Sequence, residues 1–254
     1  MAMQSNVAAV PAPKPGVFSS YGHGWKMLWP HFLVLFVIGI IYFVFSAIIN
    51  IPDWIINGFW GSAETSLSGS TLIFTFISLL YGIFFLSPVG YGQQFAYLKA
   101  ARNDKVDVQD MFEVFKNYWN AVGAVVLTFL IVLAGTILLI VPGIIFSCKL
   151  AFVPYLVIDR KMSVNGAINE SWKMTNGHAG QVFLIALLGI PIGIAGFICL
   201  GVGIIIAIMW ISMASASLYY AVSNEKEATI IQAPAVPPSI VQGHDTPPQG
   251  PVIS

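Results

Sequence analysis

Long apolar runs alternate with short segments of mixed polarity along this chain. The runs cover residues 32–51, 72–89, 121–141, 144–158, 182–200 and 203–222, and none contains Asp or Glu. A helix rises about 1.5 Å per residue, so about 20 apolar residues cross the hydrocarbon core of a bilayer. Most of the runs reach that length, and a chain of 254 residues is too small to enclose so many as soluble core helices. Between the runs the period changes. Val108, Met111, Phe112, Phe115 and Trp119 recur at three- and four-residue spacing, with Gln109, Asp110, Glu113, Lys116 and Asn117 on the other face. That pattern predicts an amphipathic helix, with Asp107 placed to cap it and Glu113 spaced to pair with Lys116. Val164, Ile168 and Trp172 line a second such helix, capped by Ser163 and carrying Glu170 and Lys173 at the same spacing. Tyr21, Trp25, Leu28 and Trp29 repeat the arrangement before the first run.

Identities reinforce the repeat. Trp25-Lys26-Met27 recurs as Trp172-Lys173-Met174, and His31, Phe36 and Ile38 match His178, Phe183 and Ile185 at the same offset. Phe115-Lys116 and Trp119 match Trp25-Lys26 and Trp29 at a second offset. The expectation is an all-α polytopic membrane protein of six transmembrane helices. They form three hairpins, each preceded by an interfacial amphipathic helix, where Trp and Tyr settle at headgroup depth. These helices either anchor the hairpins or form a collar that docks lipid headgroups or a partner.

Charge orients the set. Lys14, Lys26, Lys99, Arg102, Lys105, Lys116, Arg160, Lys161, Lys173 and Lys226 all fall in segments on one side, while residues 52–71 carry Asp53 and Glu64 but no base. The other two opposite-side connections, Pro142-Gly143 and the vicinity of Gly201, are minimal. The basic side is cytoplasmic by the positive-inside rule, which puts both termini inside and agrees with an even number of spans. Residues 1–16 and 224–254 read as Pro-rich disordered tails around a membrane domain at 17–223. The second tail holds PxxP spacing at Pro234–Pro237 and Pro248–Pro251 with no adjacent base, so it is either a passive tail or a polyproline contact. No cleavable signal sequence is expected, and the first span directs insertion.

Composition narrows the function classes. Charged residues are 9% of the chain and the formal net charge is zero, so no basic field attracts nucleic acid. Cys148 and Cys199 lie within spans and read as small apolar filler, not as a zinc or disulfide framework. Without intramembrane carboxylates, ion-coupled transport is disfavoured. No HExxH, GxSxG or P-loop occurs, and His23, His31, His178 and His244 make no metal pattern. Asp104, Asp107, Asp110 and Glu113 read as solvated helix faces.

Lys149 is the one charge within a run, about six residues into the fourth and roughly 9 Å below its outer end. A cation near mid-bilayer costs about 2.5–3.5 kcal/mol, so it needs water or a partner. Three readings stand open: snorkelling outward past Pro142-Gly143, contact with freed carbonyls or with Asn and Ser side chains, or binding of an anionic substrate or lipid phosphate. Pro142-Gly143 and Gly189-Ile190-Pro191-Ile192-Gly193 are either helix breaks or close-packing sites.

The run Val141-Pro142-Gly143-Ile144, Lys149-Leu150, Val157-Ile158-Asp159 and Ala167-Ile168-Asn169-Glu170-Ser171-Trp172-Lys173-Met174-Thr175-Asn176-Gly177-His178 resembles the membrane domain fused to some glycerophosphoryl diester phosphodiesterases, and related uncharacterised six-span bacterial families. The resemblance covers residues 120–222. It implies the six-span fold and leaves function open, because the catalytic barrel of the fused enzymes has no counterpart here. The expected protein is a multi-pass component of the bacterial inner (plasma) membrane, a non-enzymatic scaffold or accessory protein acting through membrane lipids or a cytoplasmic protein partner. A small transporter or channel-like protein with a path between hairpins is the alternative, and a lipid-processing enzyme a weaker third. No cofactor is expected, and the Gly-rich faces of the last two spans suit packing within one chain or between copies. Candidate contact residues are Lys149, Pro142, Gly143, Trp25, Lys26, Trp119, Trp172, Lys173 and His178.

Overall fold

The computed structural model describes residues 12–57, 69–198 and 202–232. Cys199, Gly201, both PxxP motifs, most of the two tails and the middle of the segment at 52–71 lie outside the described residues. Among the described residues the elements are α1 (Val17–Asn57), α2 (Gly69–Tyr81), a π-helical turn (Gly82–Leu86), α3 (Ser87–Ala101), a 3₁₀ helix (Val108–Asn117), α4 (Tyr118–Leu138), α5 (Ile140–Lys149), α6 (Val153–Asp159), α7 (Val164–Met174), α8 (Ala179–Ile198) and α9 (Val202–Gln232). Six stretches are long and apolar enough to cross a membrane: Val17–Ile48, Leu72–Ala101, Val108–Leu138, Ile140–Asp159, Ala179–Ile198 and Gly203–Thr229. The chain is a multi-pass membrane protein by this measure.

Apolar side chains point outward over much of the bundle, as lipid permits and water would penalise. Leu72, Ile73, Phe76 and Leu79 of α2 are all exposed. The enclosed core gathers instead around α3, α6 and α9, where Leu98, Leu156, Met213, Leu218 and Tyr219 are buried. α9 packs on α1, α8 and α3, and α5 packs on α4.

The segment before the first span is not a separate element. The helix continues through Pro30, and its buried residues Tyr21, Leu28 and Leu35 recur every seven positions on one stripe across the expected boundary. Its first turns are fastened to α8 and α9. The Tyr21 hydroxyl donates to the Ile185 carbonyl at 2.8 Å, Trp210 Nε1 donates to the Tyr21 carbonyl at 3.0 Å, and a Cβ on Gly24 would lie 3.0 Å from the Ala214 nitrogen.

The second span loosens into a π-helical turn where its sequence demands it. Pro88 has no N–H to give the Phe84 carbonyl one turn back. The Tyr118 hydroxyl donates to that carbonyl at 2.7 Å, and the preceding turn widens so that both the N–H and the hydroxyl of Ser87 reach the Gly82 carbonyl.

The turn between the third and fourth spans is at Leu139, not at Pro142-Gly143. Leu139 is extended, and α5 begins at Ile140. Pro142 falls in the first turn of α5, where a missing N–H costs nothing. Gly143 serves close approach, because a Cβ there would sit 2.2 Å from Thr136 Oγ1 of α4. α8 likewise runs unbroken through Pro191. Gly196 packs against the Gly203 carbonyl and Gly189 against Ile211, so these glycines serve close packing.

The tightest of these approaches is testable. A Cβ on Gly92 of α3 would lie 1.8 Å from the Met111 carbonyl oxygen of the 3₁₀ helix, whereas one on Gly193 meets nothing within 4 Å. Gly92→Ala is expected to lower stability by about 3 kcal/mol or more through overpacking against backbone. Gly193→Ala is expected to leave it unchanged or raised, as thermal unfolding of the detergent-solubilised protein would show.

Candidate functional site

Charged residues from four elements converge at one end of the bundle. Arg102, just past α3, grips Asp159 at the end of α6 with two hydrogen bonds, from Nη1 to Oδ1 at 2.6 Å and from Nη2 to Oδ2 at 2.7 Å. The buried Tyr219 of α9 donates its hydroxyl to the same carboxylate at 3.2 Å. The guanidinium also lies 5.8 Å from the Tyr220 ring centroid. Burial pulls the Arg102 pKa down, but the hydrogen bonds and charge of Asp159 more than offset this and leave it raised. Beside this pair, Lys226 and Arg160 both reach Glu170 of α7, and Arg160 Nη2 also binds Glu227 at 2.8 Å. His178 Nε2 lies 3.3 Å from Glu225. The result is an ionic layer tying α3, α6, α7 and α9 together.

The 3₁₀ helix closes the layer's flank. Asp107 caps it as expected, accepting from the Gln109 N–H at 3.4 Å, and its own N–H donates to Asp110 at 2.7 Å. Glu113 pairs with Lys116 at 2.6 Å, also as expected. Asp110 departs from expectation. It is buried and accepts from Lys99 Nζ at 2.7 Å, so it is a structural ion-pair member and not part of a solvated face. With three residues per turn, positions i and i+3 eclipse. Met111 and Val114 therefore form an inward stripe, and Phe112 and Phe115 a separate outward one with rings stacked 6.2 Å apart. Tyr118 continues that outward stripe, its ring stacked on Phe115 at 5.9 Å, and Trp119, 77% exposed, lies edge-on against Tyr118.

Lys149 is the last residue of α5, after which the fourth span breaks over Leu150–Phe152 before α6 resumes. Its ammonium does not turn toward Pro142-Gly143. It donates to Asn176 Oδ1 at 2.6 Å and lies 5.6 Å from the Trp172 ring centroid. Its carbonyl, freed by the break, accepts from Ser171 Oγ at 2.7 Å and Thr175 Oγ1 at 3.2 Å. The lysine therefore sits at the α7 end, next to the ionic layer, with a neutral polar side chain as its hydrogen-bond partner.

A partly open cavity of about 400 Å³ lies next to the Lys149 end of α5, between α5, α6, α8, α9 and α3. Cys148, Tyr155, Ala186, Ser212 and Ser215 are among its walls. The remaining candidates scatter. Lys173 is an exposed neighbour of Trp172, Trp25 contacts Trp29 and Trp210, and Trp119 contacts Tyr118. Lys26 is exposed. Among the described residues no three His, Cys, Asp or Glu side chains converge as a metal site would require.

No family model, curated protein or solved structure matches the chain. The resemblance over residues 120–222 thus rests on its own residues. The Arg102–Asp159–Tyr219 cluster was not anticipated. Asp159 entered only through the resemblance, and the sole further signal was that Arg102 and Asp159 each end a span.

Asp159→Asn leaves the guanidinium half-buried without its counter-charge. The cost of removing one partner from such a pair is about 3 kcal/mol, the lower end of the usual range because Arg102 retains some solvent contact. Glu113→Gln breaks a pair whose lysine is largely exposed and is expected to cost at most about 0.5 kcal/mol. Thermal unfolding in detergent reads both.

Proposed function

We propose that this protein is a non-enzymatic scaffold or accessory protein of a bacterial inner membrane, acting through lipid and partner contacts at its charged end. The observation that carries this reading is the exposed aromatic group of Phe112, Phe115 and Trp119, beside the charged layer and outside the buried core. Trp25, Trp29 and Trp172 are further exposed aromatics on α1 and α7. Aromatic rings flanked by cations suit the headgroup zone, and Trp and Phe are also the side chains on which partner affinity concentrates. The carboxylates Asp110, Asp159 and Glu170 are each committed to cations, which leaves them poorly placed as acids or bases. In this reading the charged end is cytoplasmic, both termini lie on that side, and the spans pair as three hairpins.

A small transporter or channel-like protein is the second reading, favoured by the interruption of the fourth span at Leu150–Phe152, since broken helices line many transport sites. Flux in proteoliposomes separates the two. The scaffold reading expects none across a panel of ions, amino acids and phosphorylated solutes, and sustained flux of any one would replace it. Its positive test is crosslinking in intact membranes. Joint replacement of Phe112, Phe115 and Trp119 by Ser is expected to cut recovery of crosslinked neighbours by about tenfold, with a fall in unfolding temperature matched by replacing all three with Leu, which keeps the covered apolar area. Unchanged recovery would count against the collar. The orientation is checked by thiol labelling from outside, which is expected to reach a cysteine introduced near Glu64 and none introduced near Lys105.

A further inference from the structure

We propose that the cavity next to Lys149 is a phospholipid site, with one acyl chain in the cavity and the phosphate at the lysine. The proposal rests on the lipid-contact reading above and names the site of that contact. The mouth lies between α5 and α8, where the wall residues Ser147 and Ala186 are exposed. On the same faces stand Ile144, Phe183 and Leu187, all exposed and apolar, so the mouth opens to hydrocarbon and not to water. The floor is Phe152, Tyr155 and Leu218, which are buried. At about 400 Å³ the space falls within the range of sites for small ligands.

Two of the five polar wall residues, Gln94, Ser147, Tyr155, Ser212 and Ser215, have their donors taken up inside the protein. The Ser147 hydroxyl donates to the Gly143 carbonyl at 2.9 Å and that of Ser215 to the Ile211 carbonyl at 3.1 Å, so both protons are spent within their own helices. A sugar or amino acid would find these two donors occupied, whereas a methylene chain needs none.

The polar end of the ligand is set by position. Val182 and Ala186 lie about 6 and 12 Å along α8 from His178, whereas Lys149 lies at the level of Asn176. Headgroup level and chain level thus follow one another in the order a phospholipid requires. The Lys149 ammonium has three protons, of which Asn176 takes one, and among the described residues no carboxylate lies within ion-pair distance. A phosphate at the mouth would supply the missing negative charge and a charge-assisted hydrogen bond.

The test uses the full chain in phosphatidylcholine nanodiscs doped with phosphatidylglycerol that carries a diazirine in one acyl chain. Irradiation is expected to label Cys148, Ala186 and their neighbours well above the uniformly exposed α2. Ala186→Phe, which fills the mouth, should reduce that labelling severalfold with α2 unchanged. Ser212→Leu fills the interior and serves the same purpose if the first variant is not monodisperse. Lys149→Gln should weaken labelling by about fivefold, the effect of one lysine at a lipid surface. A diacylglycerol probe with the same chain should label weakly and respond little to that change. Labelling equal to that of α2, or indifferent to both filling variants, would reduce the lipid to annular solvent and overturn the site. Equal labelling by diacylglycerol would overturn the phosphate contact. Neither result depends on whether the aromatic stripe recruits a neighbour, so failure here and failure of the collar are distinguishable.

Discussion

The Arg102–Asp159 pair is the contact on which the arrangement of the helices turns. A chain with so few charges surrounds them with low-dielectric material, and an unpaired one there is costly. The two-pronged grip joins the end of α3 to the end of α6, and the Tyr219 hydroxyl adds α9 to the same carboxylate. Once those three ends are held, the rest follows within reach. Arg160 is one residue from Asp159 and binds toward α7 and the tail of α9. Lys226 and Glu225 of α9 then meet Glu170 and His178. The buried core is concentrated at this end, while toward the far ends the spans pack as close glycine contacts, α4 on α5 and α8 on α9, with apolar side chains outward.

The break after α5 belongs to this arrangement. An uninterrupted fourth span would carry Lys149 and Asp159 on one straight rod. Interrupting it over Leu150–Phe152 lets α6 tuck into the core, where five of its residues are buried. The carbonyl released by the break is taken up by Ser171 and Thr175 of α7, so the interruption leaves no unmet polar group at Lys149. Next to it, between α5, α6, α8 and α9, lies the cavity. The packing of the charged end and the cavity thus meet at the same local feature.

Much of the fold was legible in advance, because the signals involved are local. Six apolar runs, the Asp107 cap and the Glu113–Lys116 pair each depend on spacing within a few residues, and each is present. The misplaced features depended on partners far along the chain. Pro142-Gly143 looks like a turn, but a proline in the first turn of a helix is no obstacle, and the glycine answers to Thr136 across the α4–α5 contact. Asp110 looks solvated until Lys99 is brought to it. The expected single apolar face of residues 108–119 assumed 3.6 residues per turn, and at three per turn it divides into an inner and an outer stripe.

Length, apolarity and the one-sided scatter of Lys and Arg thus decided the solvent of this protein and its number of spans, since those follow from transfer energies summed along the chain. The pairing of Arg102 with Asp159, the direction Lys149 takes and the cavity next to it depend on which helix ends meet. Those contacts join residues tens of positions apart, such as the 57 between Arg102 and Asp159, and no local pattern encodes them.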